Sequence, residues 1–190
     1  MKRKHLTSVS KLFTLAIGMV LLVPSCKKDD EKPRDTFEGA KVSIGNGKTY
    51  TWVKLKANGE PERLGITLTK GAMENLPQNP SNHEHNSFTL SLPPQANGTP
   101  FNHVTVDWNP AGHPPDDIFD VPHFDFHFYT ITVPERLQIP PYEQDATKHD
   151  ILPPAGYMPA DYVRMPGGVP AMGVHWADET APEFNGQPFT

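Results

Sequence analysis

Pro122-His123-Phe124-Asp125-Phe126-His127-Phe128-Tyr129 alternates with a period of two. Phe124, Phe126 and Phe128 share one face and His123, Asp125 and His127 the other, which is the pattern of a strand and not of a helix. The phenylalanine face predicts a block of aromatic core. The opposite face lines up three side chains that can ligate a metal or carry protons.

Shorter segments of the same kind precede it. Lys41-Val42-Ser43-Ile44 and the run from Thr49 to Lys56 flank Gly45-Asn46-Gly47, a hairpin signal. Asn58-Gly59 makes a second turn, leading into an alternating strand from Leu64 to Thr69. Ala72 to Leu76 reads as one helical turn stopped by Pro77. The runs Ser87–Leu92 and His103–Trp108 read as strands, and the opening strand is expected to continue to Val133. Short strands punctuated by Gly and Pro predict an all-β fold, an antiparallel sandwich or barrel with little helix. Of 22 prolines, 14 follow residue 109, and this crowding predicts a long proline-rich loop over residues 134–168.

The N-terminus is a targeting segment. Met1-Lys2-Arg3-Lys4-His5 is a basic start, and Leu12 to Val23 is an apolar run of roughly 12 residues, against the ~20 that a bilayer span needs. It ends Val23-Pro24-Ser25-Cys26, which resembles a bacterial lipobox with Cys26 as the lipidated first residue of the mature chain. Residues 1–25 are thus expected to be a lipoprotein signal peptide and residues 26–37 a flexible charged tether like those of Bacteroidota lipoproteins. Residues 38–190 are expected to form a single β-rich domain. The expected location is the cell envelope, anchored to the membrane through Cys26, with the domain periplasmic or facing outward on the outer membrane. The end at Asn185-Gly186-Gln187-Pro188-Phe189-Thr190 reads as a turn with a strand due after it, which points to a domain cut short at its C-terminus.

Cys26 is the single cysteine, so an intrachain disulfide and a cysteine nucleophile are both excluded from the domain. Residues 1–25 hold four of the 17 basic residues and none of the 22 acidic ones, so the remainder has 13 against 22, a charge of −9. A surface so acidic disfavours nucleic acid and favours cations. Phosphate-loop, zincin, nucleophile-elbow and dinucleotide motifs are missing.

Eight of the nine histidines follow residue 25. Along a straight strand, i and i+4 stand ~13 Å apart and i and i+2 ~7 Å. An imidazole reaches a metal only ~2 Å beyond its ring nitrogen. His123 and His127 therefore cannot easily share an ion, and Asp125 with one of them can. The preferred constellation is Asp125, His127 and His175, with His113 or His123 completing it or supporting it. The competing reading is a metal-free polar network on a phenylalanine core. His103 and Asp107 share a face and are placed near this site. His83-Glu84-His85 reads as a surface loop, and Trp52 and Trp176 as core.

His113-Pro114, the opening stretch, Met172-Gly173-Val174-His175-Trp176 and Phe184 to Thr190 together resemble an uncharacterised TTHB-like family of exported bacterial proteins, a domain of unknown function. The resemblance covers roughly residues 38–190 and implies a compact β-rich domain. It implies no reaction. Three functional expectations follow: a lipid-anchored envelope protein whose His/Asp cluster binds a divalent transition metal (Zn, Cu or Fe); a metal-dependent enzyme, either a hydrolase or a cupin-like oxygenase; or a structural domain that forms homo-oligomers without metal.

Overall fold

A computed structural model describes residues 35–78 and 86–189. Cys26, the stretch expected to be a signal peptide, nearly all of the expected tether and His83-Glu84-His85 lie outside the described residues. Strands β1 (Thr36–Glu38), β2 (Val42–Ile44), β3 (Gly47–Leu55) and β4 (Pro61–Leu68) form the first sheet. β1 and β2 pair with successive halves of one edge of β3, and β4 pairs with the other edge, all antiparallel. Strand structure therefore begins at Thr36, two residues inside the stretch expected to be tether.

The second sheet is a meander of β5 (Ser87–Ser91), β6 (His103–Asn109) and β7 (His123–Tyr129). Its register sets Leu90 beside Val104, Val106 beside Phe126, Thr105 beside His127 and Asp107 beside Asp125. Each strand alternates, so one face of the sheet is apolar and the other carries serine, threonine, histidine and aspartate. The apolar face packs on the first sheet. Ile44, Ala72, Leu90, Val104 and Val106 are buried together, with Val42, Ile66, Leu68, Phe88 and Phe124 against them. Truncating a side chain as enclosed as Leu90 to alanine costs ~2–5 kcal/mol in such a core. Thr51 Oγ1 crosses between the sheets to donate to the Ser91 carbonyl at 2.7 Å. The arrangement is the all-β antiparallel sandwich that the alternation predicts, and the strands do not close into a barrel.

Three expectations change. First, the phenylalanine face of β7 is core only at Phe124; Phe126 is 45% and Phe128 37% exposed. β7 lies at the edge of its sheet, where the apolar face outruns the layer beneath it. Second, β7 ends at Tyr129 and does not reach Val133. Thr132 instead caps a short helix, α1 (Val133–Leu137), with a reciprocal capping box to Glu135. Third, residues 134–168 are not an unstructured loop. They contain most of α1, a 3-10 turn at Tyr142–Gln144, a second short helix α2 (Ala146–His149) and β8 (Tyr162–Arg164), which pairs with β9 (Trp176–Asp178) as a two-stranded ribbon. The helical turn near residue 72 is a 3-10 turn at Lys70–Met73. Trp52 and Trp176 are half-buried and not in the core.

Candidate metal centre

The polar face of the second sheet is substantially covered. His103, Thr105 and Asp107 of β6 are buried, and His123, Asp125 and His127 of β7 are half-buried beside them. A face of this kind is tolerated only if its polar groups find partners.

At one end, the loop between β6 and β7 folds back over β7. Gly112 takes φ +72°, and a Cβ there would run into the Phe119 carbonyl. The His113 amide donates to that same carbonyl at 3.1 Å. This close approach brings the His113 ring to 4.9 Å from the His123 ring, centroid to centroid. Gly112→Ala is expected to displace His113 and lower metal occupancy without unfolding the sandwich. Elemental analysis together with a thermal melt checks this.

Both imidazoles are oriented the same way. His113 Nδ1 lies 2.7 Å from the Pro114 carbonyl oxygen, and His123 Nδ1 lies 2.7 Å from that of Val121. Contacts this short to an acceptor require a proton on each Nδ1. In its neutral form each ring then carries its lone pair on Nε2, and both Nε2 atoms face Asp125: His113 Nε2 to Oδ2 at 3.0 Å, His123 Nε2 to Oδ1 at 3.5 Å. His123 is the more enclosed, its side chain 9% exposed, and its Nε2 is buried with no hydrogen-bond partner among the described residues. Asn109 Nδ2 steadies the carboxylate by donating to Asp125 Oδ2 at 2.9 Å.

Lone pairs facing a carboxylate repel unless a cation lies between them. Two ligand atoms each ~2.1 Å from one ion stand about 3.4 Å apart at a tetrahedral angle. The 3.0 and 3.5 Å separations bracket that value, and one ligand atom from each of the three residues falls within 4.8 Å of the others. Metal-bound histidines usually donate their second N–H to a carbonyl or carboxylate, as both rings do here. Phe119 and Phe189 shield this end, with Phe189 5.0 Å from the His123 ring and 4.9 Å from Phe119. Phe184 packs on Phe119 from another side at 5.8 Å.

His127 has a different partner. Its Nδ1 donates to Asp107 Oδ2 at 2.8 Å, and Thr105 Oγ1 donates to the same oxygen at 2.7 Å. Burial alone would raise the Asp107 carboxyl, but hydrogen bonds from His127, Ser87 and Thr105 outweigh it and hold it below the usual carboxylate range. His175 lies edge-on to His127 at 6.2 Å between ring centroids. Desolvation, then the neighbouring His127 and His113, push the His175 imidazole below its ordinary value.

The structure thus groups His113, His123 and Asp125, and sets His127 with Asp107 and His175 alongside. His103 stacks on Tyr129 at the far end of the face. Sequence reasoning placed Asp107 near the site but did not find Asn109 or the phenylalanine shield. The alternation of β6 carries Asn109 on the polar face, which is the signal for it. The shield has none, because Phe184 and Phe189 are distant in sequence from the strand they cover and Phe119 lies in an irregular loop before it.

Among known proteins, the family model described as TTHB210-like, hypothetical protein TTHB210, matches residues 57–108. The similarity spans β4 to β6, includes Asp107 and stops short of His113, His123 and Asp125. No curated protein and no solved structure matches the chain significantly.

Proposed function

We propose that this chain is a lipid-anchored envelope protein that binds one divalent transition metal ion, Zn, Cu or Fe, through His113, His123 and Asp125. The observation that carries the metal reading is the pair of imidazoles locked at Nδ1 by carbonyls, each turning Nε2 to one carboxylate, with His123 Nε2 buried and unpartnered. Imidazole with carboxylate suits these three metals. The anchor reading is supported by the basic start, the short apolar run and Cys26.

After dialysis, the purified wild-type domain is expected to carry close to one metal equivalent by elemental analysis, and His123→Ala none. A metal-free wild type whose melting temperature ignores added Zn²⁺, Cu²⁺ and Fe²⁺ would sink the reading. For the anchor, mass spectrometry of protein extracted from native membranes should find acyl chains on Cys26; an unmodified soluble chain would reject it.

Metal-dependent catalysis is the second reading, favoured by the count of ligands. Three protein ligands leave a coordination position open for water or substrate, as catalytic zinc sites do. His175 is exposed and lies edge-on to His127, which would make it the imidazole available to an entering substrate. Hydrolysis of an activated ester that requires metal and slows in His175→Ala would support it; equal rates with and without metal would reject it.

A further inference from the structure

The outer face of the first sheet, turned away from the core, carries a groove unrelated to the metal centre. On β3, Thr49, Thr51 and Val53 point inward and are buried, so Tyr50, Trp52 and Lys54 point outward. Register places Thr67 beside Tyr50, Gly65 beside Trp52 and Arg63 beside Lys54. With Glu38 of β1, these side chains line a groove of about 350 Å³, within the range of ~300–1,000 Å³ for small-molecule sites.

Two features give the groove its chemistry. Gly65 has no side chain, and a Cβ there would collide with the Trp52 indole. The indole therefore lies flat across the neighbouring strand with its other face toward the groove. The charges are also unevenly matched. Glu38 pairs with Lys41 at 3.0 Å and Lys54 with Glu62 at 2.9 Å. The exposed Arg63 side chain makes no hydrogen bond or salt bridge among the described residues, and its guanidinium is a two-pronged donor suited to a carboxylate. A flat aromatic face beside such a fork, rimmed by the Tyr50 and Thr67 hydroxyls, fits a ring with an apolar face, several hydroxyls and one acidic group.

We propose that this groove binds an acidic sugar, with the C–H face of the pyranose ring on Trp52, its carboxylate on Arg63 and its hydroxyls on the polar rim. The sugar site is independent of the metal centre, which lies on the other sheet.

The test is titration of the ¹⁵N-labelled domain with D-glucuronate and with glucose, following the Trp52 indole N–H signal. Glucuronate is expected to shift that signal saturably, with glucose at least tenfold weaker. Arg63→Gln should reduce glucuronate to the level of glucose. Trp52→Ala, read by calorimetry, should abolish binding and leave metal content unchanged. The proposal is overturned if glucuronate produces no saturable shift, if glucose binds equally well, or if Arg63→Gln changes nothing. It is equally overturned if sedimentation shows that Trp52→Ala dissolves a self-association of the wild type while no sugar binds, which would make a second copy the occupant.

Discussion

Asp125→Asn abolishes the stabilisation conferred by metal and leaves the metal-free protein no less stable than wild type. Both halves of this expected result come from the geometry at Asp125. The carboxylate would be the one anionic ligand of the proposed site and faces both Nε2 atoms. Losing even an outer partner of a metal ligand costs ~10–100-fold in affinity, so replacing a direct ligand should cost at least that much. At 100 times its dissociation constant a metal adds ~2.7 kcal/mol of stability, and this increment should vanish in the variant. Without metal the sign reverses. An amide can donate to an Nε2 lone pair, whereas a carboxylate repels it. Thermal melts with and without Zn²⁺ measure both quantities. If the gap held only a proton, His113 would be an imidazolium paired with Asp125, and Asp125→Asn would destabilise the metal-free protein at neutral pH. That outcome would remove the metal assignment.

The second large effect falls on Asp107. Asp107→Ala is expected to destabilise the domain by ~3–5 kcal/mol, because it leaves the His127 and Thr105 donors facing a buried void. For a domain of this size that is a fall of roughly 10 °C in melting temperature. Asp107→Asn keeps the volume and some of the hydrogen bonding, and should cost less. The carboxyl lies below its ordinary range in the folded state. Ionised Asp107 therefore stabilises the fold at pH values above its unfolded pKa of ~3.9, and the contribution is lost as pH falls through the folded value. Urea titrations between pH 6 and 3 should show a steeper loss of stability in wild type than in Asp107→Asn. Parallel curves would mean that Asp107 contributes nothing to the acid limb.

Much of the sandwich could be read from alternation and turn residues. β2 to β6 fall close to where Gly45-Asn46, Asn58-Gly59 and the flanking apolar runs put them, and β7 starts at His123 as expected. Periodicity separates two faces of a strand but does not say how far the opposing layer extends, which is why Phe126 and Phe128 escaped the core. The helix at Val133 had a readable signal, because Thr132-Val133-Pro134-Glu135 is a capping box with proline in its first turn. It was overridden by the strong β pattern before it.

For the site, strand spacing correctly separated His123 from His127, which turn to different carboxylates. It preferred His127 and His175 as the partners of Asp125, whereas the structure groups Asp125 with His113 and His123, a difference that depends on how the loop after Gly112 folds back. The covering of the polar face was illegible for the same reason. It is made by the loop between β6 and β7 and by segments after Thr130, whose placement against the sheet no local pattern encodes.

The position of β7 gives its histidines and aspartate a second duty. An edge strand offers an unpaired row of backbone donors and acceptors, and one with two exposed phenylalanines is a template for intermolecular pairing. Polar and charged side chains at every second position oppose that stacking, so the residues that define the candidate site also act as gatekeepers of solubility. An attempt to stabilise this domain by replacing His123, Asp125 and His127 with valine would supply good strand formers and remove polar side chains that help keep the edge solitary.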